Sequence, residues 1–511
     1  MQPAPPPTAR TGAHRHATQP STQLPTLEAH TDVAVPVLPH APMRELLHAR
    51  FRGRSTPVLA GDGWATPAAS IWAGTRLWVK RFRSMGLRAG DRVVIASPPG
   101  PGLLMPLLAC WWDGLAAALT DPPADADSLP VRLLESLDAR LLIAPGARGP
   151  HVIGHDRAGC PLDVAPANDA RARPATFRET DHLDPIALLM RTSGTTAPSR
   201  WIALSHTNVL ANLHTHAEAM GLSGATVLSV LPWSHAFGLL IDALPALLRG
   251  ATVVVDPPSA RDPHRALRTI ADNGVTHLSM VPLQARRLLE TAGGEATLRA
   301  LRGGIIGGAP VDARAASALN ATALRVGYGQ TEASPGITLG EPGVFAPALL
   351  GRPIGCDTRL DETGRLLVRG PNVCAGYAHD AGITRLAPGR WLDTGDLAEE
   401  TGLGYRFIGR VDASFKLPNG RMVHAAQAES TLRSTLPPGI EPVILPQNDG
   451  ICLVLLGGST AQTPGAIRAL GALGRAVRHV DLRPDHSDLR TPKGEVDRRA
   501  IKRLIDAGEA R

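Results

Sequence analysis

Short apolar runs separated by longer, helix-length segments fill the middle of this chain, at residues 92–96, 141–143, 186–190, 227–231, 252–255, 277–281 and 304–306. Runs of that length suit buried strands, and their alternation with helical segments predicts α/β units around mostly parallel sheets. Gly90-Asp91 forms a turn into the first of them. Residues 43–87 carry a helical pattern, and the Leu- and Ala-rich stretch 102–120 predicts a single helix packed on a sheet. After about Gly336 the runs shorten and Gly and Pro punctuate them, as at 366–368 and 405–408, which predicts a small antiparallel or barrel-like section. The last hundred residues have strands of their own at 443–445 and 452–456 and a basic terminal helix at 496–504.

Length adds a division into domains, since 511 residues exceed one ordinary core. Residues 1–42, rich in Pro, Ala, Thr and His without periodicity, predict a disordered tail. Residues 43–410 predict a large N-terminal domain, and 411–511 a small mobile C-terminal α+β domain. Apolar content of 43% suits a soluble globular protein. No apolar stretch reaches the roughly 18 residues of a membrane span, and the N-terminus lacks the pattern of a secretory signal, so a cytoplasmic location is expected. The net charge of +7 rests almost wholly on arginine. A basic surface suits acidic partners such as carrier proteins or the phosphates of CoA. No basic run is interleaved with aromatics, so nucleic acid is not an expected partner. The five cysteines lie scattered, without the spacing of a disulfide framework or a zinc site.

Candidate chemistry begins where the run at 186–190 empties into Thr192-Ser193-Gly194-Thr195-Thr196. Small hydroxyl residues and bare amides in such a turn can wrap phosphate oxygens. Further motifs follow in order: Leu231-Pro232-Trp233-Ser234-His235-Ala236-Phe237-Gly238, Gly307-Gly308-Ala309-Pro310, Tyr328-Gly329-Gln330-Thr331-Glu332, Trp391-Leu392-Asp393-Thr394-Gly395-Asp396 and Gly409-Arg410-Val411-Asp412. Together these resemble the adenylate-forming superfamily of acyl- and aryl-CoA ligases, luciferases and peptide-synthetase adenylation domains. The resemblance covers roughly residues 45–505. It implies two α/β sheets plus a barrel-like section, and a small domain that rotates about a hinge at Asp412.

The resemblance also implies site roles. Thr192, Ser193, Gly194, Thr195 and Thr196 would form the phosphate loop. The loop's tail departs from the family pattern, with Ala197, Ser199, Arg200 and Trp201 where Gly, Pro, Lys and Gly are usual. Arg200 keeps a cation for the β- and γ-phosphates, although its planar fork is not interchangeable with an ammonium. Gly308, Ala309 and Pro310 would line one face of adenine and Tyr328, followed by Gly329 and Gln330, the other. Thr331 would contact the α-phosphate, Glu332 would hold Mg²⁺, Asp396 would grip the ribose hydroxyls, and Arg410 would pair with phosphate or ribose. His235 would stand at the acyl entrance, where amino-acid-activating members carry Asp, so an α-amino acid substrate is not expected. Phe415-Lys416-Leu417-Pro418-Asn419-Gly420 resembles a form typical of long-chain acyl ligases and adds Lys416 to the nucleotide contacts. The implied reaction uses ATP and Mg²⁺ to convert a fatty or aryl carboxylic acid to an acyl-adenylate. A thiol then displaces AMP, with CoA the first choice and the phosphopantetheine of a free-standing acyl carrier protein the second.

One position breaks the pattern. The family's C-terminal motif resembles RTxxGKxxRR, and its lysine bridges the substrate carboxylate and the α-phosphate. Here Arg490-Thr491-Pro492-Lys493-Gly494-Glu495-Val496-Asp497-Arg498-Arg499 places Glu495 at the lysine's position. A carboxylate facing two other anions is unfavourable. Three readings stay open: Lys493 takes over through a shifted loop, the enzyme works only on a preformed adenylate, or the chain is a non-catalytic nucleotide- or acyl-binding homologue.

Overall fold

The computed structural model describes residues 41–51, 57–124, 128–146, 150–155, 161–163, 184–192, 200–379, 382–411, 413–419, 421–447, 450–485, 487–490 and 496–507. The expected tail 1–42 lies outside these residues except for Ala41 and Pro42, which open the helix Ala41–Phe51. The expected hinge Asp412 also lies outside them.

The alternation of apolar runs becomes two sheets with parallel centres. In the larger, the order of strands is Gly382–Arg385, Gly376–His379, Trp201–Ser205, Ile186–Arg191, Ala116–Leu119, Arg92–Ile95, Ala139–Ala144, His151–His155 and Pro161–Asp163. Its inner four strands are parallel neighbours and the flanking pairs antiparallel. The second sheet runs His277–Leu278, Thr226–Ser229, Thr252–Val255, Pro57–Gly61 and Trp64–Pro67. A continuous core of Leu, Ile, Val and Trp residues joins the faces of both, with Trp233, Phe51 and Phe82 fully buried in it.

Three expectations about local structure change. Residues 102–120 are not one helix. The helix Pro101–Asp113 stops at Gly114, whose φ of +72° turns the chain so that Leu115 N donates to Cys110 O at 2.8 Å, and the chain re-enters the sheet as Ala116–Leu119. An unbroken apolar run hides this boundary, because a buried strand and a buried helix share one composition. Residues 43–87 likewise contain a hairpin, Pro57–Gly61 with Trp64–Pro67, between two helices. The run 277–281 pairs as a strand only through Leu278, because Pro282 opens a helix with Val281 ahead of it.

The barrel-like expectation becomes a third sheet, ordered Ile305–Gly307, Arg325–Gly329, Gly336–Leu339, Leu349–Pro353, Gly404–Arg410, Leu392–Thr401, Arg365–Arg369 and Asp357–Leu360. Apart from the parallel first pair its neighbours are antiparallel. The C-terminal strands Glu441–Gln447, Gly450–Leu456 and Val477–Arg483 form a sheet with its own apolar clusters. Buried Glu429 ties the terminal helix Arg498–Asp506 to it: the carboxylate accepts from Ile444 N at 2.7 Å and from Arg498 Nη1 at 2.6 Å. Arg498, one of the paired arginines of the C-terminal motif, is thereby a structural cation.

Beside the second sheet, residues Phe237–Ala243 form a π-helical turn, a geometry that concentrates at functional sites. It carries Asp242, a fully buried carboxyl whose oxygens make no well-formed hydrogen bond. Burial pushes its pKa up to about 7, partly offset by the hydroxyls of Ser279 and Ser229 that face it. The native state therefore holds a proton there that the unfolded chain releases near pH 4. Stability from this group is present at low pH and is lost as pH rises toward 7. Asp242→Asn is expected to raise the unfolding free energy at pH 8.5 by on the order of 4 kcal/mol and to change it little at pH 3.5. Urea unfolding of both proteins at the two pH values checks this, and an equal effect at both would contradict it.

Candidate active site

The phosphate-loop candidate begins where the strand Ile186–Arg191 ends. Thr192 N donates to Arg200 O at 2.9 Å and Arg200 N to Thr192 Oγ1 at 3.0 Å, so the two residues clasp the base of the segment between them. Ser193, Gly194, Thr195 and Thr196 lie outside the described residues. Trp201, at the family's glycine position, opens the next strand with the Arg191 guanidinium 5.8 Å from its ring.

The third sheet supplies the remaining cluster. Gly308, Ala309 and Pro310 form an exposed turn after the strand Ile305–Gly307, and Gly308 takes a φ of +88°. On the adjoining parallel strand Tyr328 packs against Ala333, Ile337, Val368 and Leu392. Gly329 must be glycine, since a Cβ there would stand 1.8 Å from Pro335 O. Gln330 N donates to that same oxygen at 2.9 Å, closing the turn that carries Thr331 and Glu332.

Register then does what sequence distance conceals. The strands Leu392–Thr401 and Gly404–Arg410 pair Asp396 directly with Arg410. The Arg410 guanidinium lies 2.9 Å from Asp396 Oδ1, and Tyr328 Oη donates to Oδ2 at 2.6 Å. Asp396 is 5% exposed, so it is a buried carboxylate held on both oxygens. Burial, followed by the neighbouring Asp396 charge, pushes the Tyr328 hydroxyl well above its ordinary range, and the phenol stays protonated. Burial likewise raises the Glu332 carboxyl, while Arg410 and then Arg200 draw it back down and Asp396 adds to the rise. Residues spread over more than two hundred positions thus share one electrostatic site.

Sequence reasoning passed over several neighbours of that site. Tyr377 and Cys374 both feel the Glu332 charge and the cation of Arg390, and Cys374 N donates to Glu332 O at 2.8 Å. Asn212 donates to Leu240 O and accepts from Gly336 N, each at 3.2 Å, so one amide joins a helix, the π-turn and the third sheet. The sequence gives no signal of this, because the helix carries several other polar residues, among them His206, Thr207, Asn208 and His216. His235 sits half-buried at the head of the π-turn, its N–H on Pro232 O at 3.3 Å. Lys416 is exposed on the ribbon formed by Ser414–Lys416 and Met422–His424, and among the described residues no ion pair joins it to the cluster. Lys493 and Glu495 lie outside the described residues, between Arg490 and Val496, which bridge in antiparallel fashion.

A cluster of this kind, on two parallel-centred sheets and a third antiparallel one, defines a class: the chain belongs to the AMP-binding enzyme family, whose profile matches residues 80–378. Within it, the chain is 30% identical over 414 residues to feruloyl-CoA synthase of Amycolatopsis sp, covering 77% of this chain and 82% of that one. It is 26% identical to 4-coumarate–CoA ligase-like 2 of Arabidopsis thaliana over 75% of this chain and 74% of the relative. In fold it is similar to ATP-bound MatB from Rhodopseudomonas palustris, with a TM-score of 0.72, 22% identity, and coverage of 91% and 99% of the two chains. The expected fold class is borne out.

Proposed function

We propose that this protein activates an aromatic carboxylic acid with ATP and transfers the acyl group to the thiol of CoA. The observation that carries the adenylation half is Asp396, buried and held by Tyr328 and Arg410, within reach of the Glu332 and Arg200 charges. The aromatic acid and CoA are supported by the relatives named above. Their likeness spans most of the chain, whereas the long-chain acyl signal at Phe415-Lys416-Leu417-Pro418-Asn419-Gly420 is one short motif.

In this reading the substrate carboxylate attacks the α-phosphorus of ATP, and pyrophosphate leaves. The thiol then attacks the acyl carbonyl, and AMP leaves. Asp396 accepts from the ribose diol with oxygens already oriented by Tyr328 and Arg410. Thr331 faces the α-phosphate, with Gly308, Ala309 and Pro310 along the base, and Arg200 and the clasped loop hold the β- and γ-phosphates. Glu332 fits Mg²⁺: it is a single hard oxygen donor whose charge burial disfavours, so a cation that also takes phosphate oxygens would relieve it. Bound there, Mg²⁺ would supply charge neutralisation of the phosphates. No covalent enzyme nucleophile is needed, so the chain acts by positioning and charge stabilisation. The small domain 411–511, turning near Asp412, would present the acceptor thiol for the second step.

Acid-dependent pyrophosphate release, trapped with hydroxylamine, tests the reading across cinnamic, benzoic, fatty and short dicarboxylic acids. Release with hydroxycinnamates, and CoA thioester formation when CoA replaces hydroxylamine, is the expected result. Release only with fatty acids would overturn the aromatic assignment.

A further inference from the structure

Thr331 and Glu332 stand on a tight turn that three hydrogen bonds hold to a second segment, residues 371–374. Cys374 N donates to Glu332 O at 2.8 Å. Ser334 Oγ donates to the carbonyl of Asn372 at 2.7 Å, and Asn372 Nδ2 donates to Gly336 O at 2.8 Å. The second segment is held in its turn. Asn208, in the first turn of the helix His206–Ala219, donates through its amide to Pro371 O and Val373 O at 2.8 Å each. Ala375 N then donates to Ala203 O at 2.9 Å, and Gly376, Tyr377 and Ala378 pair with Ala203, Ile202 and Trp201. That strand, Trp201–Ser205, is the one that leaves the phosphate-loop clasp at Arg200. One short segment thus ties the Glu332 turn to the exit of the phosphate loop.

Two features of this joint cost stability. Ser334, fully buried, takes a φ of +65°, a left-handed conformation disfavoured for a residue with a side chain. Asn372 is 3% exposed, and its Oδ1, beside the Cys356 thiol, makes no well-formed hydrogen bond. Such costs persist where the surrounding structure over-determines them, and they concentrate at functional sites. We propose that Asn372 is a positioning residue for Glu332. It fixes the turn relative to the phosphate loop, so that a Mg²⁺ on the ATP phosphates meets the carboxylate without rearrangement. The proposal rests on the adenylation reading above and on Glu332 as an oxygen donor to that ion. Asn372 acts through backbone alone. Its amide fixes the Gly336 carbonyl and its own carbonyl holds the Ser334 hydroxyl, while the hydrogen bond from Gln330 N to Pro335 O closes the turn.

ATP binding tests this without requiring turnover. Calorimetric titrations of ATP into the full-length protein, with saturating Mg²⁺ and with EDTA, give the factor by which the ion strengthens binding. For the wild type that factor is expected to be about tenfold or more, within the usual range of coupling between two ligands. Asn372→Ala should cut it by about fivefold, while the affinity without Mg²⁺ stays within about twofold of wild type. Ser334→Ala, which removes one hydroxyl and keeps the amide, should show a smaller loss in the same direction. Glu332→Gln should lower the factor furthest, and adding Asn372→Ala to it should cause no further loss, because both act through one carboxylate. A merely structural asparagine would weaken ATP equally with and without the ion, and that result would overturn the proposal. Additive losses in the double variant would overturn it as well. If Asn372→Ala does not fold, an unchanged factor in Ser334→Ala does the same. An equal factor in wild type and Glu332→Gln would remove the metal from Glu332, and the role of Asn372 with it, while leaving the aromatic-acid reading intact.

Discussion

Asp396→Ala is expected to lower kcat/KM for ATP by about 10²–10⁴ while leaving the fold intact. The carboxylate makes two hydrogen bonds within the protein, at 2.6 Å to Tyr328 and 2.9 Å to Arg410, and both prepare its oxygens for a diol. Charged hydrogen bonds contribute about 1.5–3 kcal/mol each, and loss of two to the ribose gives that range at 1.4 kcal/mol per decade. The substitution also leaves Arg410 and the Tyr328 hydroxyl without their common acceptor, so Tyr328→Phe should show a smaller loss in the same direction. Asp396→Asn should fall between, since an amide oxygen still accepts but carries no charge. Steady-state kinetics with varied ATP, with circular dichroism as the control for folding, checks the series. An ATP KM within threefold of wild type in Asp396→Ala would remove Asp396 from the nucleotide site.

Glu495→Lys is expected to raise the rate of adenylate formation by about 10²–10³, the effect of restoring one stabilising donor in a site where charge develops. The lysine of the resembling motif bridges two anions, and a carboxylate in its place repels both. Pyrophosphate release in single-turnover assays measures the gain. The same assay on Lys493→Ala separates the three readings of this segment. If Lys493 has taken over, its alanine variant loses adenylation in the wild-type background and keeps it in Glu495→Lys. If the wild type is silent and Glu495→Lys active, one charge holds an otherwise complete site inactive. Equal rates in wild type and Glu495→Lys would show that position 495 does not meet the reacting groups.

Both substitutions were chosen from motifs, and the geometry adds to only one of them. Motif order brought Tyr328, Glu332, Asp396 and Arg410 forward as candidates, and the structure joins them through hydrogen bonds and shared charge. The segment with Lys493 and Glu495 remains an argument from chemistry and spacing. His216, Asn212 and Asp242 were silent in the sequence. Polar side chains in buried stretches carry no sign of what they face, and for Asn212 and His216 that is Gly336, more than a hundred residues away.

Sequence alone established the class of fold and the types of residue available for nucleotide chemistry. These are local properties: apolar runs of strand length, glycine where backbone must turn or approach closely, hydroxyls and carboxylates at fixed spacings. Tertiary structure alone decided where helix gave way to strand at Gly114, which carboxylates are buried, and which partners they keep. Periodicity cannot separate two kinds of buried segment, and burial depends on packing between distant parts of the chain. Register completed the site, since the pairing of Asp396 with Arg410 and of Gly336 with Gly329 is a property of neighbouring strands and of no single stretch of residues.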